Sequence, residues 1–322
     1  MALHVVTGGA GFIGSHLVQA LVARGDRVRV VDDLSTGSTT NLAGLEVGEF
    51  ASGAPVEFVK GSITDAALLE RALVGAHGVL HEAAQVSVPL SVERPQRSLE
   101  VNVLGTLNVL EAARKNGVRK VVFAASSAAY GDAPELPKHE EMHVRPLSPY
   151  AIGKVAGEQL LTVYAQLHGL HTTALRYFNV FGPRQADDSP YTGVIAIFAR
   201  RVLRGEPVTI NGDGSHSRDF TFVDDVVAAN LRALDGRHPP GRVYNVGAGA
   251  RTTILELYDA LARLAGSHVR PTFGPERAGD VRHSLASIDR ARTELGHVAA
   301  VPFDEGLART FAWYRGRFAA AR

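Results

Sequence analysis

Residues 7–14 read Thr-Gly-Gly-Ala-Gly-Phe-Ile-Gly, and they follow a short, mostly apolar run at residues 3–6. The run predicts a β-strand and residues 12–24 predict a helix, so the spaced glycines lie in the turn between them. Gly8 permits a tight turn, Gly11 lets the backbone approach a ligand, and Gly14 lets the helix pack closely on the strand. Unpaired N–H groups at the start of such a helix suit a phosphate group.

Short β-branched runs alternate with helical patterns through the first half of the chain. The predicted strands are 3–7, 27–32, 56–60, 78–81, 120–125 and 172–177, and the predicted helices are 12–24, 66–73, 99–116 and 150–168. Strands without polar alternation that are separated by helices are typical of a parallel sheet covered on both faces. The sequence therefore predicts an α/β fold, a Rossmann-type doubly wound parallel sheet that binds ligand at the carboxyl ends of its strands.

The pattern changes after Asn179, where pairs such as Gly182-Pro183 and Asn211-Gly212 break the chain into short pieces. We expect residues 1–179 to form the sheet domain and residues 180–322 to form mostly a smaller C-terminal, substrate-binding lobe. Segments within about 219–247 are expected to return to the main sheet. The hydrophilic residues 35–53 are expected to form a surface loop with at most one short helix.

The composition is that of a globular protein, with 322 residues, 45% of them hydrophobic, and a formal net charge of +1. This charge gives no electrostatic reason to expect binding to nucleic acid or to an anionic membrane. The chain has no cysteine, which excludes disulfides and thiolate chemistry, and its histidines show no metal-binding spacing. No apolar run reaches the ~20 residues that span a bilayer, and no signal-peptide pattern is seen, so we expect a cytoplasmic protein.

Asp32 lies at the end of the second predicted strand, about 20 residues beyond the glycine turn, where an acidic side chain binds ribose hydroxyls. A carboxylate at this position repels the additional phosphate of NADP. Residues 33–37 contain no arginine that would accommodate that phosphate. The sequence therefore predicts NAD as the cofactor.

Tyr150 and Lys154 are four residues apart in a predicted helix and so lie on the same face. This spacing also arises by chance, as two solvated side chains on a helix. After a dinucleotide-binding turn, however, it predicts hydride chemistry on an alcohol, with Tyr150 as the base. A free tyrosine titrates near pH 10, and we expect the Lys154 ammonium and the positive charge of oxidised nicotinamide to favour its phenolate.

Eight stretches, ordered along almost the whole chain, resemble the extended short-chain dehydrogenase/reductases, and specifically the nucleotide-sugar 4-epimerases. The stretches are residues 8–14 (GGAGFIG), 81–85 (HEAAQ), 102–106 (NVLGT), 126–131 (SSAAYG), 150–154 (YAIGK), 176–179 (RYFN), 217–220 (SRDF) and 277–280 (RAGD). The resemblance implies C4 epimerisation of a UDP-sugar through a transient 4-keto intermediate. It also implies that Ser126 hydrogen-bonds the sugar O4 and relays its proton, so that Ser126, Tyr150 and Lys154 are catalytic, whereas His81 is given no role.

The resemblance further implies contacts to NAD at the positions that match the family's motifs. They are Gly8, Gly11, Phe12, Ile13, Gly14, Asp32, Asp33, Leu34, Ser35, Thr36, Gly37, Ser62, Ile63, Ala83, Ala84, Gln85, Asn102, Tyr150, Lys154, Tyr177 and Phe178. Ser62 departs from the family, which usually has an aspartate there to contact adenine, and a slightly weaker affinity for NAD is expected in consequence.

Substrate contacts are implied in the same way. They are Ser87, Ser126, Ser127, Tyr150, Asn179, Gly193, Val194, Thr209, Ile210, Asn211, Arg218, Arg277, Asp280 and Ser284. Arg218 and Arg277 match positions that hold the substrate pyrophosphate, a task that suits the guanidinium fork. A bulky aromatic residue at the position of Ser284 restricts relatives to 2-hydroxyl sugars, so serine predicts that UDP-GlcNAc and UDP-GalNAc are accepted beside UDP-glucose and UDP-galactose. Val86 weakens this prediction, because glycine is common there in enzymes that prefer acetamido sugars.

Other functions are left open. A 4,6-dehydratase needs an Asp-Glu pair directly after the active-site hydroxyl, where this chain has Ser127 and Ala128. Some UDP-uronate 4-epimerases have an arginine at the position of Ala186. A non-catalytic NAD-binding module often lacks the tyrosine or the lysine. The resemblance also implies a homodimer in which the helices predicted at 99–116 and 150–168 form a four-helix bundle.

Overall fold

The computed structural model describes residues 1–187, 193–276 and 281–320. Its strands are β1 Leu3–Thr7, β2 Arg27–Asp32, β3 Val47–Glu49, β4 Val56–Lys60, β5 Gly78–His81, β6 Lys120–Ser126, β7 His171–Tyr177, β8 Asn179–Phe181, β9 Thr209–Asn211, β10 Ser217–Arg218, β11 Phe220–Phe222, β12 Arg242–Val246, β13 Thr252–Thr253 and β14 Thr272–Gly274. Its α-helices are α1 Phe12–Ala23, α2 Ala66–Ala72, α3 Val88–Glu93, α4 Pro95–Leu99, α5 Gly105–Lys115, α6 Pro149–His168, α7 Val194–Leu203, α8 Val223–Asp235, α9 Ile254–Ala265, α10 Asp289–Leu295 and α11 Phe303–Ala320. Short 3₁₀ helices lie at Thr39–Leu42 and Ser127–Tyr130, and a π-helical turn lies at Glu100–Leu104.

Eight strands form one parallel sheet in the order β12-β7-β6-β5-β1-β2-β4-β3. In its centre, Val6 of β1 lies opposite Val30 of β2 and Leu80 of β5. Helices α1 and α8 cover one face of the sheet, and α2, α5 and α6 cover the other. Both faces are therefore buried, which is why these strands are apolar without alternation. The prediction of an α/β fold with a doubly wound parallel sheet is confirmed.

The carboxyl ends of the central strands meet at one edge of the sheet. Thr7 at the end of β1 is level with His81 at the end of β5. Ser126 at the end of β6 is level with Tyr177 at the end of β7, and Asp32 ends β2. Residues far apart in sequence are thus brought to the edge at which doubly wound sheets bind their ligands.

A second hydrophobic cluster lies among α7, α9, α11 and the short strands β8, β9 and β11. Around it, β8 pairs with β11 and β9 with β14 in parallel, and β10 pairs with β13 in antiparallel. Helix α8 packs on α1, and β12 is an outer strand of the main sheet. The division of the chain near residue 179 into a sheet domain and a substrate-binding lobe stays a prediction.

One local prediction was wrong. The stretch 35–53 contains, besides a short helix, the edge strand Val47–Glu49, whose three residues are too few and too exposed to give a strand signal. The helix predicted at 99–116 is present as a continuous helical run to Lys115, but residues 100–104 form a π-helical turn that carries the buried Asn102. Such turns often occur at functional sites. Within the described residues, no helix has both the length and the apolar character needed to cross a membrane.

Candidate active site

The glycine turn forms a cradle that only glycine can build. Gly8 has a φ of +70° and donates its N–H to the carbonyl of Val31 at 2.8 Å. A Cβ at position 14 would lie 2.2 Å from the Gly8 oxygen, and one at position 8 would lie 2.7 Å from the Ala83 nitrogen. Gly11 precedes α1 without a side-chain cap, so the first N–H groups of the helix are available to a phosphate. The geometry fits a dinucleotide pyrophosphate.

Asp32 joins the second strand to this turn. Its buried carboxylate accepts hydrogen bonds from the N–H of Ala10 at 2.9 Å and of Leu34 at 2.8 Å. Burial raises the pKa of Asp32, while the two hydrogen bonds lower it. Each oxygen keeps a lone pair for a ribose hydroxyl. The structure therefore places Asp32 beside the glycine turn, and its contact with ribose stays a prediction; the loop at residues 33–37 continues from it, with Gly37 packed against Ala10.

The opposite wall of the cradle consists of residues 83–85, held by Asn102. The Asn102 side chain accepts from the N–H of Gln85 at 2.8 Å and donates to its carbonyl at 3.0 Å.

Ile63 is buried, and its carbonyl accepts from the side chain of Asn108 at 3.1 Å. The Ser62 hydroxyl accepts from the backbone and side chain of Thr64, at 3.3 and 3.0 Å, and so belongs to its own turn. The other predicted cofactor residues lie around the cradle: Phe12 and Ile13 in the first turn of α1, Ala83 and Ala84 after β5, and the buried Tyr177 and Phe178 at the end of β7.

His81 is fixed inside the sheet rather than facing the cradle. Its Nδ1 accepts from the Thr7 hydroxyl at 2.7 Å and its Nε2 donates to the Thr106 hydroxyl at 3.0 Å, a tautomer assigned from this network. Burial lowers the pKa of His81 to about 3, so the imidazole is neutral. His81 therefore stabilises the ends of strands β1 and β5, and the sequence had predicted no catalytic role for it.

The three predicted catalytic side chains converge at the end of β6. The hydroxyl of Ser148 caps α6 by accepting from the N–H of Ala151 at 3.2 Å, which places Tyr150 in the first turn. Tyr150 is half-buried and lies close enough to Ser126 for that hydroxyl to lower its pKa. Lys154, one turn further, is 3% exposed and donates to the carbonyl of Ala124 at 2.7 Å.

The surroundings of Tyr150 bear on the expectation that Lys154 and oxidised nicotinamide together favour its phenolate. Burial raises the pKa of Tyr150, and the neighbouring Ser126 lowers it. The Lys154 nitrogen lies 5.9 Å from the centre of the Tyr150 ring, and burial lowers the pKa of Lys154 to about 8. Burial thus acts against ionisation of Tyr150, and its activation by Lys154 together with oxidised nicotinamide stays a prediction.

A glycine and an ion pair hold α6 against the sheet. A Cβ at Gly157 would lie 2.5 Å from the Phe123 ring, so this glycine lets the helix approach closely enough for Lys154 to reach β6. One turn beyond Lys154, Glu158 binds Arg176 through two hydrogen bonds of 2.8 and 2.7 Å, and both side chains are buried. Charged side chains are seldom buried unless they are paired in this way.

The predicted substrate residues are only partly brought together. The Ser284 hydroxyl donates to the side-chain oxygen of Asn179 at 3.3 Å and accepts from the N–H of Asp219 at 3.2 Å. Arg218 is half-buried and donates to the carbonyls of Ser217 and Arg282, at 3.0 and 3.2 Å. The other predicted substrate residues lie in separate elements: Ser87 caps α3, Ser127 begins the short helix after β6, Gly193 and Val194 begin α7, and Thr209, Ile210 and Asn211 form β9. Arg277 and Asp280 lie outside the described residues.

Sequence reasoning missed two carboxylates at this edge of the sheet. Asp219 is fully buried and accepts from the N–H groups of Ala248, Gly249 and Ala286, at 2.7, 3.1 and 3.0 Å, so it positions the segment that carries Ser284. Glu82 accepts from the Tyr177 hydroxyl at 2.9 Å. Asp219 and Glu82 both lie in stretches that resemble the family's motifs, residues 217–220 and 81–85. A single acidic residue within such a stretch does not indicate a role by itself.

Comparisons with known proteins agree with this geometry. Residues 4–247 match the NAD dependent epimerase/dehydratase family. The chain is 44% identical to a UDP-glucose 4-epimerase of Mycolicibacterium smegmatis, over 97% of this chain and 98% of that protein. A UDP-glucuronate 4-epimerase of Thermodesulfobacterium geofontis is 33% identical over 97% of this chain and 96% of that protein. A dTDP-glucose 4,6-dehydratase of Streptomyces niveus is 34% identical over 97% of this chain and 92% of that protein.

Solved structures show the same similarity. A UDP-glucose 4-epimerase of Thermotoga maritima with UDP-glucose has a TM-score of 0.91 at 40% identity and covers 98% of this chain and 99% of that chain. The Thermus thermophilus UDP-glucose 4-epimerase in complex with NAD has a TM-score of 0.86 at 42% identity, with the same coverage. The chain therefore belongs to the NAD-dependent epimerase/dehydratase family, within the extended short-chain dehydrogenase/reductases, and its cofactor is NAD.

Proposed function

We propose that this chain inverts the configuration at C4 of a UDP-sugar and interconverts UDP-glucose and UDP-galactose. The observation that carries the proposal is the convergence of Ser126 and Tyr150 at the end of β6, with Lys154 one turn along α6 and bonded to Ala124 of β6. The similarity to UDP-glucose 4-epimerases over nearly the full chain supports the same substrate class.

Each residue at the edge of the sheet has a role in this proposal. The cradle and Asp32 hold the pyrophosphate and ribose of NAD. NAD held there would supply the hydride chemistry at C4, and inversion would require the 4-keto sugar to turn over before the hydride returns to its opposite face. Tyr150 Oη removes the O4 proton, with Ser126 donating a hydrogen bond or relaying the proton, and returns it to O4 of the 4-keto sugar. Lys154 fixes the geometry through Ala124 and adds positive charge near the phenol.

The residues that follow Ser126 oppose elimination. A 4,6-dehydratase would need an acid and a base directly after the hydroxyl, and this chain has Ser127 and Ala128 there. A panel of UDP-glucose, UDP-GlcNAc and UDP-glucuronate, assayed by chromatography without added electron acceptor, tests the proposal. We expect UDP-glucose to give its C4 epimer. Turnover of the uronate alone would show a UDP-uronate 4-epimerase, and turnover of none would support a non-catalytic NAD-binding module.

Ser284 determines, in this proposal, whether a 2-acetamido sugar is accepted. It is small, half-buried and hydrogen-bonded to Asn179, so its position adjoins a second proposed substrate residue. We expect the wild type to interconvert UDP-GlcNAc and UDP-GalNAc, and Ser284→Tyr to lose this activity while keeping that on UDP-glucose. Full activity of the variant on UDP-GlcNAc would contradict the role of Ser284.

We also propose that the chain is a homodimer through the outer face of α6. Ile152, Val163 and Leu167 lie on this face and are 47%, 43% and 72% exposed, and Leu104 of the neighbouring π-helical turn is 54% exposed. Exposed apolar stripes of this kind mark association surfaces. Light scattering should give twice the 34.3 kDa of the chain, and Val163→Glu should lower the mass. Val74→Glu, at another exposed valine, is the control that should leave it unchanged.

A further inference from the structure

Glu82 has a fixed backbone and a side chain at the centre of the ligand-binding edge. It follows the last residue of β5, and its N–H donates to the carbonyl of Thr7 at 3.1 Å. Its neighbour Ala83 approaches the glycine turn at Gly8. The side chain of Glu82 is half-buried and extends toward Tyr177 at the end of β7.

A directed chain of hydrogen bonds ends at this carboxyl group. The fully buried Asn230 of α8 donates through Nδ2 to the Tyr177 oxygen at 2.7 Å. An amide nitrogen can only donate, so the Tyr177 hydroxyl must use its proton for Glu82, at 2.9 Å. The interaction holds Glu82 as an acceptor, which favours its ionised form.

The charged surroundings of Glu82 are asymmetric. Lys154 of α6 is the cation whose charge lowers the pKa of Glu82, and Tyr177 of β7 is the other titratable group. From β1 and α8 the neighbours are Thr7 and Asn230, which do not titrate, and the adjacent His81 is neutral and turned toward Thr106. Burial raises the pKa of Glu82 to about 7, so part of the population is protonated at neutral pH.

We propose that Glu82 supplies a negative charge that favours the oxidised, cationic nicotinamide over the reduced, neutral one in the active site. The hydride and the O4 proton leave adjacent atoms of the sugar, so the nicotinamide must reach the site of Tyr150 and Lys154, and the charge of Lys154 acts on Glu82. The positive charges of Lys154 and of the oxidised nicotinamide repel each other, and the Glu82 carboxylate offsets this repulsion. Such a preference would keep the bound cofactor in the oxidised form that begins each turnover.

The test is the ratio of NAD⁺ to NADH that the full-length protein retains. The protein is equilibrated with a mixture of NAD⁺ and NADH, separated rapidly from free nucleotide, and its bound cofactor is measured by chromatography. Glu82→Gln keeps an acceptor oxygen for Tyr177 but removes the charge. We expect this variant to lower the bound NAD⁺/NADH ratio about tenfold at pH 7.5, the order of a charge–charge interaction in a partly buried site. Glu305→Gln, which removes an exposed carboxylate of α11, should leave the ratio unchanged.

The dependence on pH separates a charge effect from a structural one. In the wild type the ratio should rise between pH 6 and 7.5, as Glu82 ionises, and in Glu82→Gln it should be nearly flat, although both proteins keep Lys154. An unchanged ratio, or the same pH slope in both proteins, would overturn the proposal. If Glu82→Gln retains neither nucleotide, the same pH series is measured on Tyr177→Phe. Loss of the Tyr177 hydrogen bond should shift the increase in the bound NAD⁺/NADH ratio to higher pH, and an increase at the wild-type pH would refute the role of Glu82. The inference rests on the proposed placement of the nicotinamide, but no sugar turnover enters the measurement, so its failure is distinguishable from failure of the epimerase assay.

Discussion

Replacing Gly14 by alanine places a methyl group where the structure has no room. The added Cβ would lie 2.2 Å from the Gly8 oxygen, whereas ordinary contacts begin near 3.4 Å, so a displacement of 1.2 Å (3.4 − 2.2) is required. The obstacle is backbone and cannot rotate away. The Gly8 carbonyl also accepts the N–H of Gly11 at 3.0 Å, so its displacement disturbs the whole turn.

The expected loss follows from two opposing contributions. Overpacking of a rigid site costs about 1–3 kcal/mol. Removing a glycine from a helix returns up to about 1 kcal/mol. The free energy of unfolding should therefore fall by roughly 1–2 kcal/mol, which lowers the melting temperature by about 1.5–3 °C in a chain of this size. Because the same turn holds the pyrophosphate, NAD binding should weaken at least tenfold, or about 1.4 kcal/mol.

Thermal unfolding and NAD retention after gel filtration measure both effects. Gly316→Ala is the matched control, because position 316 lies in α11 with no atom within 4 Å of the added Cβ. The control should keep its NAD and melt at the wild-type temperature or slightly above. A Gly14→Ala protein that behaved like this control would refute the cradle argument.

Two further predictions concern buried charge. Glu158→Gln leaves the buried Arg176 guanidinium without its carboxylate, so the free energy of unfolding measured in urea should fall by about 3 kcal/mol. Glu305→Gln, in an exposed pair, should lower it by less than about 1 kcal/mol. Equal losses in the two variants would contradict this role of the buried pair. His297 is 1% exposed, and burial lowers its pKa to about 4, so the unfolded chain binds its proton first and stability falls as the pH drops below about 6.5. His297→Phe should lose about 2 kcal/mol less than the wild type between pH 7 and pH 5, and parallel losses would show that His297 does not contribute.

The parts of the fold that could be predicted are those with a periodic or punctuated signal. The glycine turn and the apolar runs at β1, β2 and β5 identified the parallel sheet, because strands buried on both faces cannot alternate. The edge strand Val47–Glu49 was missed, since three half-exposed residues at a sheet edge carry no such pattern. The π-helical turn at Glu100–Leu104 depends on tertiary packing around Asn102 and has no local signature.

The candidate site shows the same limit. Ser126, Tyr150 and Lys154 were recognisable by spacing and resemblance, and the structure brings them together. Their protonation states could not be predicted from the sequence, because burial in the folded chain shifts the pKa of Tyr150. Glu82 was also missed as a functional residue, because its importance comes from Tyr177, 95 residues away in sequence.

Conversion of UDP-galactose by the purified protein, without added electron acceptor, tests most directly whether Tyr150 is the base. We expect the wild type to form UDP-glucose, and Tyr150→Phe to form it at least a hundredfold more slowly while its bound NAD and melting temperature stay close to those of the wild type. A variant that still bound NAD and epimerised UDP-galactose at the wild-type rate would contradict the assignment of Tyr150.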